Sequence, residues 1–155
     1  MDINSLIEKG GVIVQILIAL NFLGFTVMIW KFISLNRAKS QLDNTAQNLI
    51  QNFPNRLEIQ IQKQTNNLEY GLNTVKIIAQ ISPLLGLLGT VVGVLSIFDT
   101  IGQHGLGDPA ILSSGISVAL ITTIAGLIVA IPHYIGYNYL IGFVDRLEIL
   151  LKEKI

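Results

Sequence analysis

The sequence predicts an all-α membrane protein with three transmembrane helices and cytoplasmic helical extensions. No Asp, Glu, Lys or Arg interrupts residues 10–30, 77–98 or 109–144, runs of 21, 22 and 36 residues. Uncharged runs beyond about 18 residues read as spanning helices, because lipid offers the backbone amides no partner outside their own helix. The composition agrees. Charged residues make up 13% of the chain and apolar ones 51%, in long blocks instead of periodic stripes, where an ordinary soluble domain carries about 25% charge.

The first span is expected over 10–31, after a short polar stretch at 1–9. Its 21 uncharged residues reach about 32 Å at 1.5 Å per residue, enough for the hydrocarbon layer. Trp30 and Lys31 at its end suit an interfacial anchor. A secretory signal is the competing reading, but no basic region precedes the run and no small-x-small cleavage site follows it. Residues 32–76 are rich in Gln and Asn and read as a helical hairpin. Leu42, Ala46, Leu49 and Phe53 recur at helical spacing, as do Leu57, Ile61, Leu68, Leu72 and Val75, with Pro54 between the two sets.

The second span, 77–99, opens near Pro83, acceptable in a first turn or as a kink. Ser82, Gly86, Gly89, Thr90 and Gly93 fall largely on one face, a stripe that lets another helix approach closely. A polar turn at 100–109 leads to the third span, 110–133, where Gly115, Ala119, Thr122, Thr123, Gly126 and Ala130 form a second small-residue face. As a single helix the 36-residue run would measure about 54 Å. That exceeds the hydrocarbon thickness, so the helix is expected to leave the membrane near Pro132 and continue through 134–155.

Orientation follows from the basic residues. Lys31, Arg37, Lys39, Arg56, Lys63, Lys76, Arg146, Lys152 and Lys154 all fall on one side of the predicted spans, and only Lys9 lies elsewhere. The positive-inside rule puts that side in the cytoplasm. The N-terminus and the 100–109 turn then face outward.

Several function classes drop out. With ten basic and ten acidic residues the chain has no net charge to neutralise phosphates, so no nucleic acid is expected. It has no cysteine, which excludes disulfides, thiolate catalysis and most zinc sites. His104 and His133 lack nearby metal-ligand partners in sequence, so neither metal nor cofactor is expected. No span offers a carboxylate, a thiol or a hydroxyl with an adjacent base, so the chain is not expected to be an enzyme. Hydroxyls can nonetheless line a pore. A proton path normally needs an ionisable relay, which these spans lack apart from His133. If protons pass, another chain must supply the titrating group. The bland reading stands beside this one: a threonine in a membrane helix commonly bonds its own backbone or packs on a neighbour.

Two blocks, P-x-x-G-L-x-G-T-V-x-G from Pro83 and A-L-x-x-T-x-x-G-L-x-x-A-I-P from Ala119, resemble the ExbB/TolQ group, with the flagellar stator protein MotA a more distant relative. The resemblance implies a ring-forming homo-oligomer, a pentamer, in the bacterial inner membrane, with the second and third helices lining a central pore. It implies an ExbD/TolR-like single-span partner carrying an intramembrane aspartate, and a TonB/TolA-like transducer energised by the proton motive force. Thr90 and Thr123 match the two pore threonines; Ser117, Val118 and Thr122 are expected along the same path. Pro83, Gly86, Gly89, Gly93, Gly126 and Pro132 are expected to pack or kink the helices. Val118 stands where the family pattern places a glutamate, which leaves the acid to the partner. The resemblance is closer to ExbB than to TolQ. A TolQ-like envelope subunit and a non-conducting membrane scaffold are the alternatives; a MotA-like rotor stator is disfavoured by the short loop.

Overall fold

The computed structural model describes residues 3–104 and 109–155, with side chains over 10–103 and 112–155. Of the expected outer stretch at 1–9 the backbone is described from residue 3 and the side chains are not, and the centre of the polar turn, 105–108, lies outside the described residues. Every described element is helical: α1 (Ile3–Ser40), α2 (Leu42–Asn52), a 3₁₀ turn (Pro54–Arg56), α3 (Leu57–Glu69), α4 (Leu72–His104) and α5 (Pro109–Glu153). Among the described residues three segments are long and apolar enough to cross a membrane: Gly10–Ser40, Leu72–Gln103 and Leu112–Glu153. Each extends beyond the span expected from charge alone. α4 starts at Leu72, so Pro83 lies inside the helix and not in its first turn. It also carries on past Asp99, through Gly102, to His104.

The chain divides into two compact units, one formed by 1–23 with 77–134, the other by 24–76 with 135–155. In the first, Leu17, Ile78 and Val129 form a buried cluster, flanked by Ile13, Leu20, Leu85 and Ala125. α1 is broken at Gly11, whose φ of 59° and ψ of −149° belong to a region only glycine enters freely. The sequence reading missed this break. Pro83 and Pro132 sit within continuous helix, and beside each a polar side chain bonds the carbonyl four residues back. Ser82 Oγ donates to Ile78 O at 2.7 Å, and His133 Nδ1 lies 2.7 Å from Val129 O. A carbonyl can only accept, so that nitrogen carries the imidazole proton.

The second unit is a bundle with its own core. Leu35, Leu72, Leu140, Val144 and Leu147 are buried together, with Met28, Leu68 and Tyr137 packed against them. A smaller cluster joins Ala46, Leu49, Ile61 and Leu151. The periodic positions read from the sequence thus face inward, except Phe53, which stands exposed where α2 ends. Lys31 departs from expectation too. It is 3% exposed, and its ammonium donates to Leu68 O at 3.1 Å, satisfying one of the carbonyls left open at the C-terminal end of α3. Its anchor role is therefore corrected to that of a buried helix cap, while Trp30 beside it is exposed.

Candidate functional site

The two small-residue stripes face each other within the first unit. A Cβ added to Gly86 would lie 2.9 Å from Thr122 O and 3.1 Å from Thr123 Cα. One added to Gly126 would lie 2.6 Å from Ser82 O and 3.1 Å from Gly86 Cα. Further along, Gly93 meets Ala119 and the Gly115 carbonyl at 3.2–3.3 Å, and a Cβ on Gly115 would run into Ile97. α4 and α5 therefore touch backbone to backbone along several turns, the arrangement small residues permit inside a membrane. The opposite side of α4 is different: Leu84, Leu87, Leu88, Val91, Leu95 and Phe98 are all exposed. So large an apolar surface suits lipid or another protein chain and not water.

At the edge of the seam the two expected threonines meet. Thr90 Oγ1 and Thr123 Oγ1 lie 2.7 Å apart, a short hydroxyl–hydroxyl hydrogen bond. Both also reach one carbonyl, Gly86 O, at 3.2 Å from Thr90 and 3.3 Å from Thr123. Each threonine is half-buried, so the pair keeps an open side. Gly86 is the feature the sequence could not display. It was expected as a packing residue, and its main-chain oxygen proves to be the shared acceptor.

The other α5 residues expected along the path do not share this face. Thr122 is 1% exposed; its hydroxyl donates to Ala119 O at 2.8 Å and its side chain fills the space left by Gly89. It is sealed inside the chain, and its assignment is corrected from lining to packing. Ser117 and Val118 are half-buried. At about 100° per residue they sit about 120° and 140° round α5 from Thr123, on opposite sides. Neither can point where the threonine pair points. His133 is 0% exposed and so does not open onto the surface of the single chain. Among the described residues no cluster of His, Cys, Asp and Glu could hold a metal ion.

Comparison with known proteins bears on these features. Residues 30–153 match the MotA/TolQ/ExbB proton channel family. The biopolymer transport protein ExbB of Aquifex aeolicus is 34% identical over 140 residues, 90% of this chain and 83% of that protein. The biopolymer transport protein exbB1 of Vibrio cholerae is 40% identical over 89 residues. An ExbB homologue of Methanothermobacter thermautotrophicus is 41% identical over 93 residues. The matched parts make up only 39% and 33% of those last two proteins.

Proposed function

The chain belongs to the MotA/TolQ/ExbB proton channel family, and from that premise we propose that it is the channel-forming subunit of a complex that uses proton flow to energise biopolymer transport. The observation that supports this most is the Thr90–Thr123 pair, two hydroxyls 2.7 Å apart on the half-exposed edge of a rigid, charge-free seam. In this reading several copies, five by family resemblance, surround a conduit in the bacterial inner membrane. The N-terminus is outward, and the 32–76 and 134–155 segments, which hold every basic residue except Lys9 and Lys31, are cytoplasmic.

Threonine hydroxyls do not titrate in the physiological range, so the pair can hold and orient a proton carrier but cannot itself be one. The stretches 77–98 and 109–144 contain no carboxylate, and Val118 brings none to the family's acidic position. A single-span partner of the ExbD/TolR kind supplies the acid, and a TonB- or TolA-like transducer takes up the resulting motion. The pair borders the conduit, whereas Thr122, Gly86, Gly89, Gly93 and Gly126 hold α4 and α5 in register behind it. Ser117 and Val118 face neighbouring chains or helices. ExbB-like service to outer-membrane uptake is favoured over the TolQ-like role by the relatives' names, biopolymer transport proteins ExbB.

A non-conducting scaffold draws on the same geometry, since both hydroxyls are already bonded inside the chain. Replacing Thr90 and Thr123 together by Val, nearly isosteric but without hydroxyls, separates the two readings. Proton-dependent uptake in cells should be lost while the detergent-solubilised oligomer keeps its mass. Undiminished uptake would favour the scaffold.

A further inference from the structure

We propose that the second unit holds a binding site for a small organic amine, a cationic nitrogen carried on an apolar body about the size of one aromatic ring. The site is a cavity of about 150 Å³ walled by α1, α2, α3 and α5. It shares no residue with the Thr90–Thr123 pair, so its occupancy stands or falls apart from proton conduction. The core of this unit lies in two clusters, one containing Leu147 and the other Leu151. Leu42 packs against both, and the cavity opens where they do not merge, with Leu42, Leu68, Leu147 and Leu151 on its wall. Ala38 and Thr65, also on the wall, are small where larger side chains would take up the space. Packed interiors hold few voids larger than a water, and an empty one costs stability. An apolar cavity near this size accommodates a benzene ring.

Two polar groups set the chemistry of the occupant. Thr65 is 6% exposed, and its hydroxyl has no hydrogen-bond partner among the described residues. Thr45 on the same wall differs, because its hydroxyl donates to Gln41 O at 3.0 Å. A polar group buried as deeply as Thr65 ordinarily finds a partner, and the cavity is where one can come from. The sign of the charge comes from Glu148. Hydroxyls and the amides of Gln41 and Gln64, which stand exposed at the rim, serve either sign. Among the described residues Glu148 is the one charged side chain on the wall. Lys152 Nζ meets its Oε1 at 2.6 Å from the adjoining surface, which Glu58 shares. Two carboxylates there stand against one ammonium, and a carboxylate accepts at both oxygens. An anion in the cavity would face Glu148 with no cation on the wall. An ammonium brings three N–H donors for carboxylate, hydroxyl and amide oxygens, while its apolar body lies on the four leucines.

The test is equilibrium dialysis of radiolabelled 2-phenylethylamine against the full chain in lipid nanodiscs, with empty nanodiscs as the blank for partition into lipid. Wild type should take up the amine saturably. Labelled 2-phenylethanol, of the same shape without the charge, should bind about tenfold more weakly, and 3-phenylpropanoate should not exceed the blank. Glu148→Gln should weaken the amine about tenfold and leave the alcohol unchanged, and the nearly isosteric Thr65→Val should weaken the amine about fivefold. Ala38→Leu, which obstructs the cavity, should bring uptake down to the blank. Should that variant fail to fold, Glu148→Gln and Thr65→Val decide alone. Amine binding no tighter than the alcohol, or unchanged in Glu148→Gln, overturns the site as one for amines. Uptake by wild type that never exceeds the blank overturns it altogether and makes the cavity a water-filled gap.

Discussion

Replacing Gly126 with Ala probes the seam directly. The added Cβ would sit 2.6 Å from the Ser82 carbonyl oxygen and 3.1 Å from Gly86 Cα. Both neighbours are backbone, so no side-chain rotation relieves the contact. Ordinary van der Waals contact begins at 3.4 Å, so α4 and α5 must part by about 0.8 Å. Overpacking of this kind costs about 1–3 kcal/mol, and alanine's better helix propensity returns about 0.5–1 kcal/mol. The net expectation is a loss of about 1–2 kcal/mol.

That displacement reaches the hydroxyl pair. Opening the 2.7 Å contact between Thr90 and Thr123 by a similar amount takes it to about 3.5 Å, beyond a useful hydrogen bond. Gly142→Ala supplies the control, since a Cβ there meets nothing within 4 Å and should stabilise by a fraction of a kcal/mol, up to about 1. Unfolding in a denaturing detergent, followed by circular dichroism, compares the two variants. Equal stability for Gly126→Ala and Gly142→Ala would mean that the two helices are not in backbone contact, and the reasoning would fail with it.

Three further substitutions test the second unit by the same measurement. Lys31→Met keeps the apolar stem but removes the cap from Leu68 O, for an expected loss of about 1–2 kcal/mol; a neutral result would return Lys31 to the status of a surface anchor. Gly71→Ala places a side chain at φ 88°, which costs about 1–2 kcal/mol, and brings its Cβ within 3.3 Å of Lys31 Cε. Gly136→Ala would put a Cβ 2.2 Å from Met28 Sδ, a closer approach than at Gly126, yet a thioether can rotate aside. Its loss should therefore be the smaller of the two, and a larger one would show Met28 to be held fast.

The spans were legible in the sequence because lipid imposes a crude rule: a long stretch without charge is enough to place a helix. The two small-residue stripes were legible for a related reason, since a small residue at every third or fourth position of a membrane helix usually marks close packing against another helix. Periodicity was as good a guide to the second unit, where Ala46, Leu49, Ile61, Leu72 and Val75 are buried. What failed is what depends on direction. Ser117, Val118, Thr122 and Thr123 are neighbours in sequence, and the family resemblance puts all four along one path. Rotation of about 100° per residue spreads them round α5. Lys31 failed likewise. A lysine at the end of an apolar run usually snorkels outward, and only the return of α3 brings a carbonyl that turns it inward.

Gly86 joins the packing and the proposed chemistry. Its lack of a side chain lets the Thr122 carbonyl and Thr123 Cα come within about 3 Å of where a Cβ would be, and that approach brings Thr123 into reach of Thr90 on the other helix. Its carbonyl then takes a hydroxyl proton from either threonine. A larger residue would disturb both at once, by wedging the helices apart and by carrying the acceptor away from the pair. Small residues on a membrane helix are usually read as packing, and hydroxyls as candidates for function. Here the hydroxyls owe their spacing, and the direction of their protons, to the glycine between them.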